Sequence, residues 1–112
     1  MSRHSLKSKK MIQTLLNSGQ RSHSGRLTIY QDKDIPGLEN SYAGAYLVPK
    51  KAGTAVKRNR LKRWLREDLR ELHREGKLQG AIVIRFNGSA DNVTHRSLRE
   101  NLREIFNSGK EN

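Results

Sequence analysis

Between Lys50 and Arg66 the chain carries Lys50, Lys51, Lys57, Arg58, Arg60, Lys62, Arg63 and Arg66 and no acidic residue. Fixed cations at this density suit phosphates, because each Lys or Arg that meets one releases a counterion, and Arg adds planar bidentate contacts and stacking on bases. Wound as a helix from Val56 to about Arg70, the segment puts Leu61, Trp64, Leu65, Leu69 and Leu72 on one face. Asn59, Lys62, Arg63, Arg66 and Arg70 fall on the opposite face. Arg58 projects near the margin of the apolar face and Arg60 lies on its flank, so these two arginines point in different directions.

A charge run is more often a solvated helix face than a binding site. Two turns of cations at a helix N-terminus, however, oppose the macrodipole, which favours anions there by ~0.3–1 kcal/mol per charge. The second half of the helix can neutralise itself, Arg63 with Glu67, Glu67 with Arg70 and Glu71 with Arg74. The first half has no such partners. Thr54 is placed to cap the helix, and the loop before it adds Lys50 and Lys51. The base-reading inventory for a DNA groove is poor, since Asn59 is the only uncharged polar group on the basic face, and RNA is the better expectation.

Other chemistry is sparse. His4, His23, His73 and His95 have no metal-ligand spacing, and surface or satisfied histidines are the expectation for all four. Glu67, Asp68, Glu71 and Glu75 cluster, but Arg70 and Arg74 are interleaved with them, which predicts solvated ion pairs instead of a metal site. Gly-rich phosphate loops and nucleophile elbows are missing, so the polypeptide is expected to be non-catalytic.

The elements that must position the basic helix follow from length and periodicity. The 112 residues, with net charge +12 and no Cys, suit one domain over 1–112 held by packing alone, with a polyanionic partner. No apolar run is long enough for a secretory or membrane segment, and a cytoplasmic location fits the lack of Cys. Leu6, Met11, Ile12, Leu15 and Leu16 predict a first helix, with Ser5 as its N-cap and Gly19 as its stop. After a polar stretch from Gln20 to Gly25, Arg26 to Gln31 alternates as a strand, with Leu27 and Ile29 on one face and Thr28 and Tyr30 on the other. Tyr42 to Val48 reads as a second strand, expected to form a hairpin with the first. Ala81 to Phe86 reads as a buried strand. A last helix carries Leu98, Leu102, Ile105 and Phe106 on one face, with Asp91, Asn92 or Thr94 as its cap and Gly109 beyond its end. The order α-β-β-α-β-α predicts an α/β two-layer sandwich, a small mixed sheet packed by helices.

The run Lys50-Lys51-Ala52-Gly53-Thr54-Ala55-Val56-Lys57-Arg58-Asn59-Arg60-Leu61-Lys62-Arg63-Trp64-Leu65-Arg66-Glu67 resembles the signature of the bacterial ribonuclease P protein family. The Lys-Lys, Gly, Ala-Val, Arg-Asn-Arg, Lys-Arg and Arg-Glu elements stand in register. The resemblance extends over almost the whole chain. It implies an RNA-binding subunit that assists a catalytic RNA in removing the 5′ leader from precursor tRNA, the RNA performing the hydrolysis with Mg2+ that it mainly holds itself. It also implies a left-handed β-α-β crossover, against the usual right-handed preference. By position, Arg58, Asn59, Arg60, Lys62, Arg63 and Arg66, joined by Lys50 and Lys51, would face the catalytic RNA and the leader. No obligate protein partner is implied, and no membrane. The family's second surface is a cleft between the first helix and the sheet for single-stranded leader, commonly with aromatics on that helix. Here Ile12 and Leu16 stand in their place and Tyr30 keeps its ring. Aliphatic side chains lack the π-face that makes base stacking worth ~1–3 kcal/mol. Ordinary core is an equal expectation for Ile12 and Leu16. Pro49 and Thr54 replace the more usual Ser and Asn; Thr54 preserves capping and Pro49 stiffens the loop. The competing expectation is a structural RNA-binding protein of ribosomal type with no role in cleavage.

Overall fold

Local signals decide most element ends. In the computed structural model, which describes residues 5–108, the first helix, α1, is Lys9–Ser18, and β1 (Gln20–Ser24), β2 (Leu27–Asp32) and β3 (Tyr42–Leu47) follow. A 3₁₀ turn, Lys50–Ala52, leads into α2 (Ala55–Arg74), and β4 (Gly80–Phe86) and α3 (His95–Ser108) complete the chain. Thr54 caps α2, its side chain accepting from Lys57 N at 3.3 Å, and Thr94 caps α3 by accepting from Ser97 N at 3.1 Å. The cap of α1 is Ser8, not Ser5. Leu6 lies outside that helix: its N–H donates to Gly44 O at 2.9 Å, and Ser5 bridges Gly44 along the outer edge of β3. His4 and Gly109 lie outside the described residues.

The sheet has the order β1-β2-β4-β3, with β3 and β4 parallel and the other pairs antiparallel. The α/β sandwich with a small mixed sheet stands, and the expected succession of elements holds with one strand added, β1. The hairpin joins β1 to β2; β2 and β3 do not pair, because β4 lies between them. The parallel neighbours β3 and β4 are connected through α2, the β-α-β crossover that the resemblance implies.

Alternation along the strands builds two apolar clusters. Leu27, Ile29, Ile82, Ile84 and Phe86 meet Leu61, Leu65, Leu69 and Leu72 of α2 and Leu98, Leu102, Ile105 and Phe106 of α3. Tyr30, Ala45, Ala81 and Val83 point to the other side, against Leu15 of α1 with Met11, Ile12 and Leu16 around it. Gly80 has φ +90°, and a Cβ there would collide with the Asp32 carbonyl, so the entry to β4 requires glycine.

Candidate nucleic-acid interface

The apolar stripe of α2 is pinned to the sheet, and that fixes where its cations point. Lys50 and Lys51 stand exposed on the 3₁₀ turn, which is anchored by buried Ala52, whose carbonyl accepts from Ala90 N at 2.7 Å. Arg58 turns back, its Nε donating to Gly53 O at 3.1 Å, so it braces the loop. Arg60 lies over the Trp64 ring at 5.3 Å from the centroid, and Arg66 over Tyr46 at 5.5 Å. Asn59 and Arg63 are exposed. Of the eight basic residues from Lys50 to Arg66, only Lys57 is ion-paired among the described residues, with Asp91 at 2.6 Å.

Trp64 is half-buried, not enclosed as the helical wheel suggests: one face stacks on His95, with centroids 5.3 Å apart and planes 7° from parallel. Burial raises the Tyr46 phenol well above its ordinary pKa, outweighing the opposite pull of Arg66 and Arg70, so it is a neutral platform at physiological pH.

A groove of about 740 Å³ opens beside this surface, lined by Leu16, Tyr46, Leu47, Val48, Pro49, Lys51, Lys62, Arg85, Phe86, Asn87 and Gly88. It brings Leu16 of α1 together with Lys51 and Lys62. Ile12 and Tyr30 do not line it; Ile12 packs against the α1-side cluster and Tyr30 is 9% exposed within it. Arg85, Asn87 and Tyr46 escaped the sequence reading. Arg85 left a signal, a lone charge in an otherwise apolar strand at the period that turns it away from α2.

Of the acidic residues late in α2 and just after it, Asp68 departs from the solvated pairs expected. Asp68 is 4% exposed, with Oδ1 at 3.0 Å from His95 Nε2 and 3.6 Å from Arg99 Nε. Burial raises its carboxyl pKa despite the hydrogen bond and charges of His95 and Arg99. Glu75 forms a bidentate pair with Arg103, both bonds 2.8 Å, which with Lys77 nearby lowers its pKa to about 2. Glu71 pairs with Arg74 at 3.5 Å as expected, while Glu67 makes neither of its expected pairs with Arg63 or Arg70. No cluster of three His, Asp or Glu among the described residues fits a metal ion, and no helix among them is long and apolar enough to cross a membrane.

Comparison with known proteins agrees with this picture. The Ribonuclease P family model matches residues 1–109. The ribonuclease P protein component of Bacillus cereus (strain AH187) is 29% identical over 105 residues, which cover 93% of this chain and 89% of that relative. The one from Bacillus anthracis is also 29% identical, covering 93% and 86%. Among solved structures, the RNase P protein of Staphylococcus aureus superposes with a TM-score of 0.78 at 22% identity over 97% of each chain. That of Thermotoga maritima gives 0.77 at 23% identity, covering 95% of this chain and 97% of the other. A family match over nearly the full length, joined to the basic surface of α2 and the shared fold, shows that the chain belongs to the ribonuclease P protein family.

Proposed function

We propose that the chain is the RNA-binding subunit of ribonuclease P, working in the cytoplasm with a catalytic RNA to remove the 5′ leader of precursor tRNA. The observation that carries this reading, beside family membership, is the contrast in charge along α2. Among the described residues Lys50, Lys51, Lys62 and Arg63 have no ion pair, and Arg60 and Arg66 lie over aromatic rings. The unpaired lysines and Arg63 neutralise phosphates where two RNAs approach each other. Arg60 and Arg66, already oriented by Trp64 and Tyr46, present their forks to phosphates or bases at reduced entropic cost. Arg58 shapes the loop that carries Lys50 and Lys51, and Asn59 adds an uncharged contact. Leader enters the groove beside α1, where Leu16 offers aliphatic contact and Ile12 and Tyr30 support the wall from within. Hydrolysis belongs to the RNA, with Mg2+ held mainly there; among the described residues no group of three His, Asp or Glu could hold a metal ion.

The test adds purified protein to a bacterial ribonuclease P RNA and precursor tRNA at low magnesium. Faster leader removal is expected, with no cleavage by protein alone. Binding without any gain in cleavage would replace this reading with the structural, ribosomal-type one.

A further inference from the structure

Arg60, Trp64 and Asp68 are spaced by four along α2 and so lie along one side of it. Arg60 is exposed and has no ion pair among the described residues; its guanidinium lies over the Trp64 ring, 5.3 Å from the centroid. Trp64 is in turn stacked on His95, with centroids 5.3 Å apart and planes 7° from parallel. Asp68 reaches the same imidazole, its Oδ1 3.0 Å from His95 Nε2.

His95 is the first residue of α3, and its backbone is fixed by a reciprocal cap. Thr94 N donates to Ser97 Oγ at 3.3 Å, and Ser97 N donates to Thr94 Oγ1 at 3.1 Å. Facing a carboxylate, His95 Nε2 carries a proton and donates it, so the ring is held at one nitrogen and on one face. Turning the ring would break either the hydrogen bond or the stack. Helix packing by itself gives no reason for this arrangement. Asp68 is 4% exposed, burial opposes its charge, and its Oδ2 has no hydrogen-bond partner among the described residues. An apolar side chain would fill the seam between α2 and α3 without that penalty, as Leu61, Leu65, Leu69 and Leu72 do along the same helix. What the carboxylate adds is the orientation of His95.

We infer that His95 is a positioning residue for RNA binding: held by Asp68, it sets the Trp64 indole and, through the indole, the Arg60 guanidinium. The long Arg60 side chain would otherwise be free, and ordering it on contact would weaken binding. Seated on a fixed indole, it meets a phosphate or a base with its fork already placed. A side chain on α3, outside the basic run, thereby controls a cation on α2. The inference rests on the proposed function in taking the ligand to be ribonuclease P RNA.

The test measures binding of a bacterial ribonuclease P RNA by wild-type protein, Arg60→Ala, His95→Gln and the double variant, with urea unfolding to give the folded fraction of each. Glutamine keeps a donor for Asp68 and removes the ring, so the fold is retained while the stack is lost. His95→Gln is expected to weaken binding about three- to tenfold, the affinity equivalent of freeing one long side chain, and to add almost nothing once Arg60 is already Ala. His95→Phe, which restores a flat ring, should recover most of that loss. Trp64 is the only tryptophan in the chain, so its emission reports the stack directly and should shift to the red in His95→Gln. Losses that simply add in the double variant, binding or emission unchanged in His95→Gln, or no recovery in folded His95→Phe would each overturn the positioning role and leave the proposed function standing. Failure of the wild-type protein to bind the RNA would remove both.

Discussion

The two halves of α2 share one apolar stripe yet lead opposite electrostatic lives. From Ala55 to Arg66 the cations other than Arg58 face outward, with a single ion pair among the described residues, between Lys57 and Asp91. Beyond Glu67, acidic groups are engaged with α3 and the turn that follows: Asp68 with His95 and Arg99, Glu75 with Arg103 and Lys77. One helix therefore serves as anchor at its C-terminal end and as a charged surface at its N-terminal end. A uniformly paired helix would be a scaffold, and a uniformly unpaired one would strain a domain that already carries +12.

Substitutions can break or sharpen this contrast. The largest effect is expected in the anchored half, where Leu69 is fully buried. Leu69→Ala should cost about 2–5 kcal/mol in urea unfolding. Val56→Ala, at a residue 74% exposed in the outward half, should stay within about 0.5 kcal/mol. Similar losses at both would erase the distinction. At the boundary, Trp64→Ala should cost about 1–3 kcal/mol, below the ~3–5 of an enclosed aromatic, because its ring is only partly buried. It should also weaken RNA binding modestly by releasing Arg60.

Next in size come the cations. Arg63→Ala and Arg66→Ala should each weaken RNA binding and lower the salt dependence of log K by about one unit, whereas Arg74→Ala, paired with Glu71, should leave that slope unchanged. Equal slopes in all three would place the binding surface elsewhere. The smallest effect is in acid. The Glu75 pKa is lowered to about 2, so its stabilisation is fully present above the ordinary carboxylate range and is lost as pH falls through about 2. Glu75→Gln should therefore flatten the decline in melting temperature between about pH 5 and pH 2. Asp68 has the opposite sign: its raised carboxyl burdens the fold at neutral pH, and the burden eases as pH drops through its folded-state value.

The buried stripe of α2, the Thr54 cap and the opposed faces of β2 were legible in the sequence, because each is written in local periodicity or in one capping side chain. Strand β1 was not. Its Gln-Arg-Ser-His-Ser has no apolar residue, since one side meets Asn101 and Glu104 of α3 through Ser24 and the other is left open. Nor could the partner of β2 be read locally, because β4 arrives some fifty residues later and displaces β3 from the expected hairpin. For the site, residue type identified the basic surface, but the bracing of Arg58, the aromatic seats of Arg60 and Arg66 and the burial of Asp68 depend on which neighbour the fold supplies.

The insertion of β4 between β2 and β3 also orders events during synthesis. The β1–β2 hairpin and α2 are contiguous and can form as they emerge from the ribosome, but β2 and β3 face each other across a gap until residues 80–86 are made. Through that interval the nascent chain exposes two strand edges, the condition under which chains pair wrongly with one another. Like charge keeps such copies apart, so the cations that suit a polyanion in the finished protein also act earlier, as mutual repulsion between unfinished chains.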